Sequence, residues 1–167
     1  MLNRVVNYNM ERIEQVYKEG PELDIVRLLF REYEKELDAD LCFQHFEEEV
    51  ENPLKKYGSP GGTLFLAYWN NVPAGCIALT PMKEKGYCEM KRLYVRPAYR
   101  KYGIGKILVQ YLLNFANKEV YHFMRLDTLK KLQPAIRLYE SFGFYYIQSY
   151  YHNPLPDVVF MEKYLLL

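Results

Sequence analysis

A strand-like run, Cys88 to Val95, leads into the basic stretch Arg100-Lys101-Tyr102-Gly103-Ile104-Gly105-Lys106 and then into a helix-like run. No other local pattern in the chain constrains its fold as strongly. A strand, a turn with two glycines and a helix place unpaired backbone N–H groups at one point, because the first N–H groups of a helix have no partner inside it. The helix dipole adds partial positive charge there. Glycine, lacking a Cβ, lets a ligand approach the backbone closely. Arg100, Lys101 and Lys106 add full positive charge. Such a turn is a site for phosphate or pyrophosphate.

Spacing narrows the ligand. Gly58-Ser59-Pro60-Gly61-Gly62-Thr63 has the glycines of a Walker loop but no lysine before its threonine. Gly103-Ile104-Gly105 begins a dinucleotide fingerprint, yet the third glycine position holds Leu108, whose bulk spoils the close helix–strand packing that pattern needs. What fits is R-x-x-G-x-G at a helix entry, directly after Leu93-Tyr94-Val95-Arg96-Pro97. That pattern resembles the coenzyme A pyrophosphate loop of the GNAT N-acetyltransferases. A second block, Ala135-Ile136-Arg137-Leu138-Tyr139-Glu140-Ser141-Phe142-Gly143-Phe144, is similar to the family's A-x-x-L-Y-x-x-x-G-F segment, in the same order and at a matching separation. The resemblance covers Thr63 to Phe144 best, and the ends only in layout.

The resemblance implies an α/β fold with a mixed sheet: a central, mostly antiparallel sheet, a splayed parallel strand pair and flanking helices. The chain reads as a single domain over residues 1–167, and half of its residues are hydrophobic, enough for a sizeable core. Its 22 basic and 21 acidic residues nearly cancel, so no nucleic-acid partner is expected. Neither a secretion signal nor a membrane span is expected, and no repeat is visible. Cys42, Cys76 and Cys88 read as reduced thiols, which suggests a cytoplasmic protein.

Apolar spacing predicts a first strand over 4–13, a helix over 21–37 and a second helix capped by Asp40, carrying Phe43, Phe46 and Val50 and ending near Pro53. Strands follow over 63–69 and 74–79, joined at Asn70-Asn71, and over 87–95. Then come a helix over 103–117, a strand over 123–127 and a helix over 134–142 that Gly143 closes. Strands over 144–151 and 158–164 flank Asn153-Pro154-Leu155-Pro156.

Acyl transfer to an amine sets chemical demands. A lysine-type amine, with pKa about 10.4, is mostly charged at neutral pH, and removing its proton costs roughly 4.6 kcal/mol at about 1.36 per unit. A base is therefore useful. Glu89, eleven positions before Arg100, is the candidate; its offset matches the base glutamate of the histone-acetylating branch of the family. An ordinary ion-pair partner is the plainer reading, and ordered water serves instead in many members. Alternation puts Glu89, Lys91, Leu93 and Val95 on one strand face and Met90, Arg92 and Tyr94 on the other. Tyr139 falls on the family tyrosine that faces the coenzyme sulfur as general acid. Among 17 tyrosines a core role is the alternative.

The family also implies that backbone groups of the strand through Leu93, Tyr94 and Val95 pair with pantetheine and leave an N–H for the thioester oxygen. The loop Arg100, Lys101, Tyr102, Gly103, Ile104, Gly105 and Lys106 would hold pyrophosphate. The implied co-substrate is acetyl-CoA. The partner is an amine of a small molecule, peptide or protein, with direct transfer in a ternary complex. No metal is expected, and a homodimer is compatible with the family. One departure is Leu132, where the family often places an asparagine on the coenzyme; Gln133 is a weak substitute.

Other tempting residues have plainer readings. His45, His122 and His152 lack metal-ligand spacing. The acidic run from Glu32 through Glu51 reads as a solvated helix face, or as carboxylates lining a pocket for a cationic amine. Tyr150 to Pro154 reads as an edge loop or a second wall of that pocket. A coenzyme-binding sensor without turnover is the rival function. A nucleotide-binding protein is disfavoured by the failed spacings.

Overall fold

Strand β2 (Thr63–Trp69) is buried on both faces, and its side chains divide by alternation. Phe65 and Ala67 join one apolar cluster; Leu64, Leu66 and Tyr68 join another on the opposite side. A strand buried on both faces needs a layer on each. Helix α4 (Ile104–Lys118) covers one side with Ile104, Leu108, Val109, Leu112 and Leu113. Helix α1 (Pro21–Leu37) covers the other with Leu23, Val26, Leu29 and Phe30. Truncating any of these to alanine would cost about 2–5 kcal/mol.

This architecture comes from a computed structural model, which describes residues 11–165. Among the described residues, seven strands form one sheet in the order β1-β2-β3-β4-β5-β7-β6. They are β1 (Glu11–Gln15), β2, β3 (Val72–Pro81), β4 (Tyr87–Val95), β5 (Phe123–Leu129), β6 (Tyr145–Ile147) and β7 (Val158–Tyr164). Among the described residues only β4 and β5 run parallel, and α4 forms their crossover. Helix α5 (Gln133–Ser141) follows β5, while α2 (Phe46–Glu51) and α3 (Pro53–Tyr57) follow α1. The mixed sheet and the two helix layers agree with the expected class.

Several boundaries differ from the sequence reading. The first strand spans Glu11–Gln15; the expected residues 4–10 lie outside the described residues. The second helix is divided into a 3₁₀ turn at Cys42–Gln44, then α2 and α3, because His45 takes a left-handed φ of 56° and Pro53 starts a new turn. Asp40 caps no helix: Leu41 is the N-cap of that 3₁₀ turn, and Asp40 Oδ1 accepts the Cys42 N–H at 2.8 Å just before it. β5 continues to Leu129, and β6 stops at Ile147 rather than Tyr151. Asn70 and Asn71 both have positive φ, as a two-residue hairpin turn requires.

The strand alternation predicted for β4 is overturned by a bulge. The β3 register jumps from Cys76↔Tyr94 to Ala78↔Lys91, and Arg92 adopts φ 57°. Before the bulge, Cys88 and Met90 face α4. After it, Leu93 and Val95 face α4, while Tyr94 joins the α1 cluster. Lys91 and Arg92 both reach polar groups from the α1–α2 side. One extra residue in a strand flips every side chain beyond it.

Candidate active site

β4 and β5 pair only through Tyr87↔Phe123, Cys88↔Met124 and Glu89↔Arg125. Beyond that point the strands part, at the place where the bulge bends β4. The gap opens on two adjoining spaces. A groove of about 370 Å³ is lined by Leu93, Tyr94 and Val95 of β4, by Gly103, Gly105 and Lys106 at the α4 entry, and by Ala135 and Leu138 of α5. A deeper cavity of about 60 Å³ lies among Met90 to Leu93, Leu126 to Leu129, Gln44 and Tyr139. Tyr33, Leu37, Leu93, Leu132 and Ala135 line both.

The groove fits an extended anion with an apolar arm. No side chain caps α4, and its N-cap Gly103 sits at φ 76°, a left-handed backbone that glycine adopts without strain. A Cβ at Gly105 would stand 3.4 Å from Leu138 Cδ2. Glycine there keeps the first helical turn accessible between β4 and α5. Arg100 donates from Nε to the Val95 carbonyl at 2.9 Å and pairs with Glu36 of α1 across the groove mouth.

The cavity is built around paired charges. Arg92 gives Glu49 two hydrogen bonds, at 2.6 and 3.0 Å, with both side chains almost fully buried. Burial alone would raise the Glu49 carboxyl; Arg92, Lys56 and the Tyr57 hydroxyl outweigh it and bring the pKa down to about 2. Lys91 Nζ lies 3.3 Å from Glu89 Oε1, 3.5 Å from Asp127 Oδ1 and 3.3 Å from Gln44 Oε1. The Asp127 carboxyl is held below its ordinary range: burial opposes this, but Lys91 and the bonds from Tyr151 (2.6 Å) and Asn153 (2.8 Å) prevail. Tyr150 donates to Glu89 Oε2 at 2.8 Å.

Tyr139 reaches the cavity from α5. The helix ends in a Schellman arrangement, in which the Phe144 N–H bonds to the Tyr139 carbonyl and the Gly143 N–H to the Glu140 carbonyl. The ring packs on Phe144, centroids 5.9 Å apart. Burial, with Tyr33 and Asp127 nearby, pushes its phenol up, so it stays protonated through the neutral range. Among the described residues no group hydrogen-bonds its hydroxyl.

The expected positions are thus partly gathered. Leu93, Tyr94, Val95, Arg100, Gly103, Gly105 and Lys106 share the groove. The side chains of Lys101, Tyr102 and Ile104 turn elsewhere: Tyr102 stacks on Trp69 at 4.5 Å, Lys101 lies over the Tyr102 ring, and Ile104 is core. The Val95 carbonyl, expected to be free, accepts from Arg100. Tyr139 lines the cavity; Glu89 stands behind Lys91 instead of on the cavity wall. Leu132 contributes an apolar wall, and Gln133 bonds the Lys130 carbonyl.

The acidic run is mostly spent on ion pairs: Glu32 with Arg96, Glu34 and Glu47 with Arg31, Glu36 with Arg100, and Glu49 with Arg92. None of these carboxylates lines the deep cavity; its carboxylate is Asp127. Sequence reasoning missed Asp127, Gln44, Lys91 and Tyr33. The available signals were a lone carboxylate in the apolar run Phe123 to Leu129, and adjacent cations in a strand otherwise suited to a core.

No group of His, Cys, Asp and Glu suited to a metal ion is found among the described residues. Burial pushes the Cys76 and Cys88 thiols up, and the Asp40 hydrogen bond and charge raise Cys42, so none is an activated thiolate. Among the described residues no helix is long and apolar enough to cross a membrane.

Comparison with known proteins agrees with this geometry. The model of the acetyltransferase (GNAT) family matches residues 23–144. An uncharacterized N-acetyltransferase of Schizosaccharomyces pombe is 46% identical over 142 residues, covering 84% of this chain and 87% of the relative. A GNAT acetyltransferase structure from Staphylococcus aureus superposes with a TM-score of 0.76 at 22% identity, covering 94% of this chain and all of that one. A Bacillus subtilis acetyltransferase solved in complex with CoA gives a TM-score of 0.65 at 21% identity, covering 94% and 100%. The chain therefore belongs to the GNAT acetyltransferase family and is an acetyl-CoA-dependent N-acetyltransferase.

Proposed function

We propose that this protein, as a single domain, transfers the acetyl group directly to a primary amine of a small molecule, peptide or protein. The observation that carries this reading is the opening between β4 and β5, which joins the groove at the α4 N-terminus to a cavity holding Tyr139 and Asp127. Acetyl-CoA supplies an activated thioester. The N–H groups at Gly103 to Lys106, with the charges of Lys106 and Arg100, hold pyrophosphate. The parted edge of β4 at Leu93 to Val95 holds the pantetheine arm and places an N–H near the thioester oxygen.

In the cavity Asp127 anchors the acceptor ammonium, since its carboxylate is ionised and reaches the wall. Glu89, one residue pair behind, accepts the proton through water, as its own oxygens stand off the wall. Tyr139 donates its hydroxyl proton toward the leaving sulfur. No acyl-enzyme is needed, because the thiols are raised rather than activated. A sensor without turnover is not favoured: a protonated phenol and two carboxylates around the gap exceed what coenzyme binding requires. Thiol release from acetyl-CoA across a broad amine panel tests the proposal. Release that no amine accelerates, despite tight coenzyme binding, would remove it.

A further inference from the structure

Lys91 is the only lysine among the described residues lining the deep cavity. Its side chain is 6% exposed, and its Nζ faces three acceptor oxygens at 3.3, 3.3 and 3.5 Å. All three distances exceed the roughly 2.9 Å of a well-made N–H···O bond. The ammonium is therefore surrounded but not locked, on a flexible four-carbon stem. Its surroundings are those an acceptor amine requires: two carboxylates within reach of its protons, and a wall shared with Tyr139.

We infer that Lys91 is itself an acetyl acceptor, modified once by the protein's own bound acetyl-CoA. The inference rests on the transfer reading above. In the step, Lys91 Nζ gives up a proton to the Glu89–Asp127 carboxylates and thence to solvent. The nitrogen forms a bond to the thioester carbonyl carbon and then loses a second proton to solvent, the carbon–sulfur bond breaks, and the thiolate takes a proton from Tyr139, which solvent restores. The products are a neutral amide on Lys91, coenzyme A thiol and one proton. An amine built into the cavity needs no encounter from solution, an advantage worth up to about 10⁵–10⁸ M in effective concentration when the geometry is right. The amide leaves Glu89 and Asp127 with one cation fewer, making the cavity more attractive to a cationic acceptor.

The test is peptide mapping by mass spectrometry of the wild-type protein after incubation with acetyl-CoA and no added amine. The expected result is one acetyl group per chain on Lys91, at a rate independent of protein concentration and suppressed by excess coenzyme A. Lys91→Arg, which keeps the charge but carries a guanidinium that does not deprotonate, should lose the label. An unmodified Lys91 in protein that acetylates amines from the panel would overturn the inference and leave the transfer reading intact. Label spread over exposed lysines, or rising with protein concentration, would overturn it as well. Absence of both the label and any turnover would sink the transfer reading with it.

Discussion

Arg92 Nε donates to Glu49 Oε1 at 2.6 Å, and this buried pair ties α2 to the bulge that parts β4 from β5. The shape of the cavity thus depends on an ion pair between positions 43 residues apart. Removing one partner of such a pair leaves an uncompensated buried charge.

Glu49→Gln should accordingly destabilise the fold by about 3–5 kcal/mol. Because the folded carboxyl sits at about 2, below an unfolded value of about 4.3, its contribution is present above pH about 4.3 and is lost as pH falls toward 2. Chemical denaturation of wild type and variant at pH 7 and pH 3 checks this: the gap between them should narrow at the lower pH. An equal gap at both would show that the pair is not titrating there.

Gly105→Leu should weaken coenzyme A binding at least about tenfold, or about 1.4 kcal/mol, without unfolding the chain. A Cβ there meets side-chain atoms of Leu138 at 3.4 Å and Val95 at 3.8 Å, ordinary contacts, but a longer side chain fills the groove. Calorimetric titration gives the affinity, and an unchanged value would mean that pyrophosphate lies elsewhere.

Glu36 pairs with Arg100, so in the proposed complex it would compete with the pyrophosphate. Both side chains are substantially exposed, so the pair is worth at most about 1 kcal/mol. Glu36→Gln should tighten coenzyme A binding by up to about fivefold at low salt, with the gain shrinking as salt rises. Weaker binding in the variant would contradict a competitive role.

The two carboxylates near Lys91 should separate kinetically. Asp127→Asn should raise the acceptor KM more than it lowers kcat, because it removes an anchor. Glu89→Gln should lower kcat by about 10²-fold and leave the acceptor KM nearly unchanged. Steady-state kinetics on one accepted amine decides, and the reverse pattern would exchange the roles.

The groove was legible in the sequence because its causes are local. Two glycines, a basic turn and a 3.6-residue apolar period after it specify an uncapped helix entry whatever the rest of the chain does. Tyr139 was legible through the resemblance of Ala135 to Phe144 to the family segment, and the closure of α5 at Gly143 is local in the same way. The cavity was not, because its causes are distant. Nothing in Met90-Lys91-Arg92-Leu93 announces a left-handed arginine; the bulge persists because Glu49 and Gln44, from another helix layer, hold its side chain. That single inserted residue reversed the facing of Leu93 and Val95 and moved Lys91 into the space expected for Glu89. The acidic run misled for a related reason: its carboxylates met arginines that are remote in sequence.

Thiol release from acetyl-CoA with a saturating amine, measured for wild type beside Tyr139→Phe, tests the transfer account most directly. We expect the variant to bind coenzyme A as tightly as wild type while kcat falls by about 10²-fold. Unchanged turnover in Tyr139→Phe would contradict the assignment of the cavity hydroxyl as the acid at the leaving sulfur.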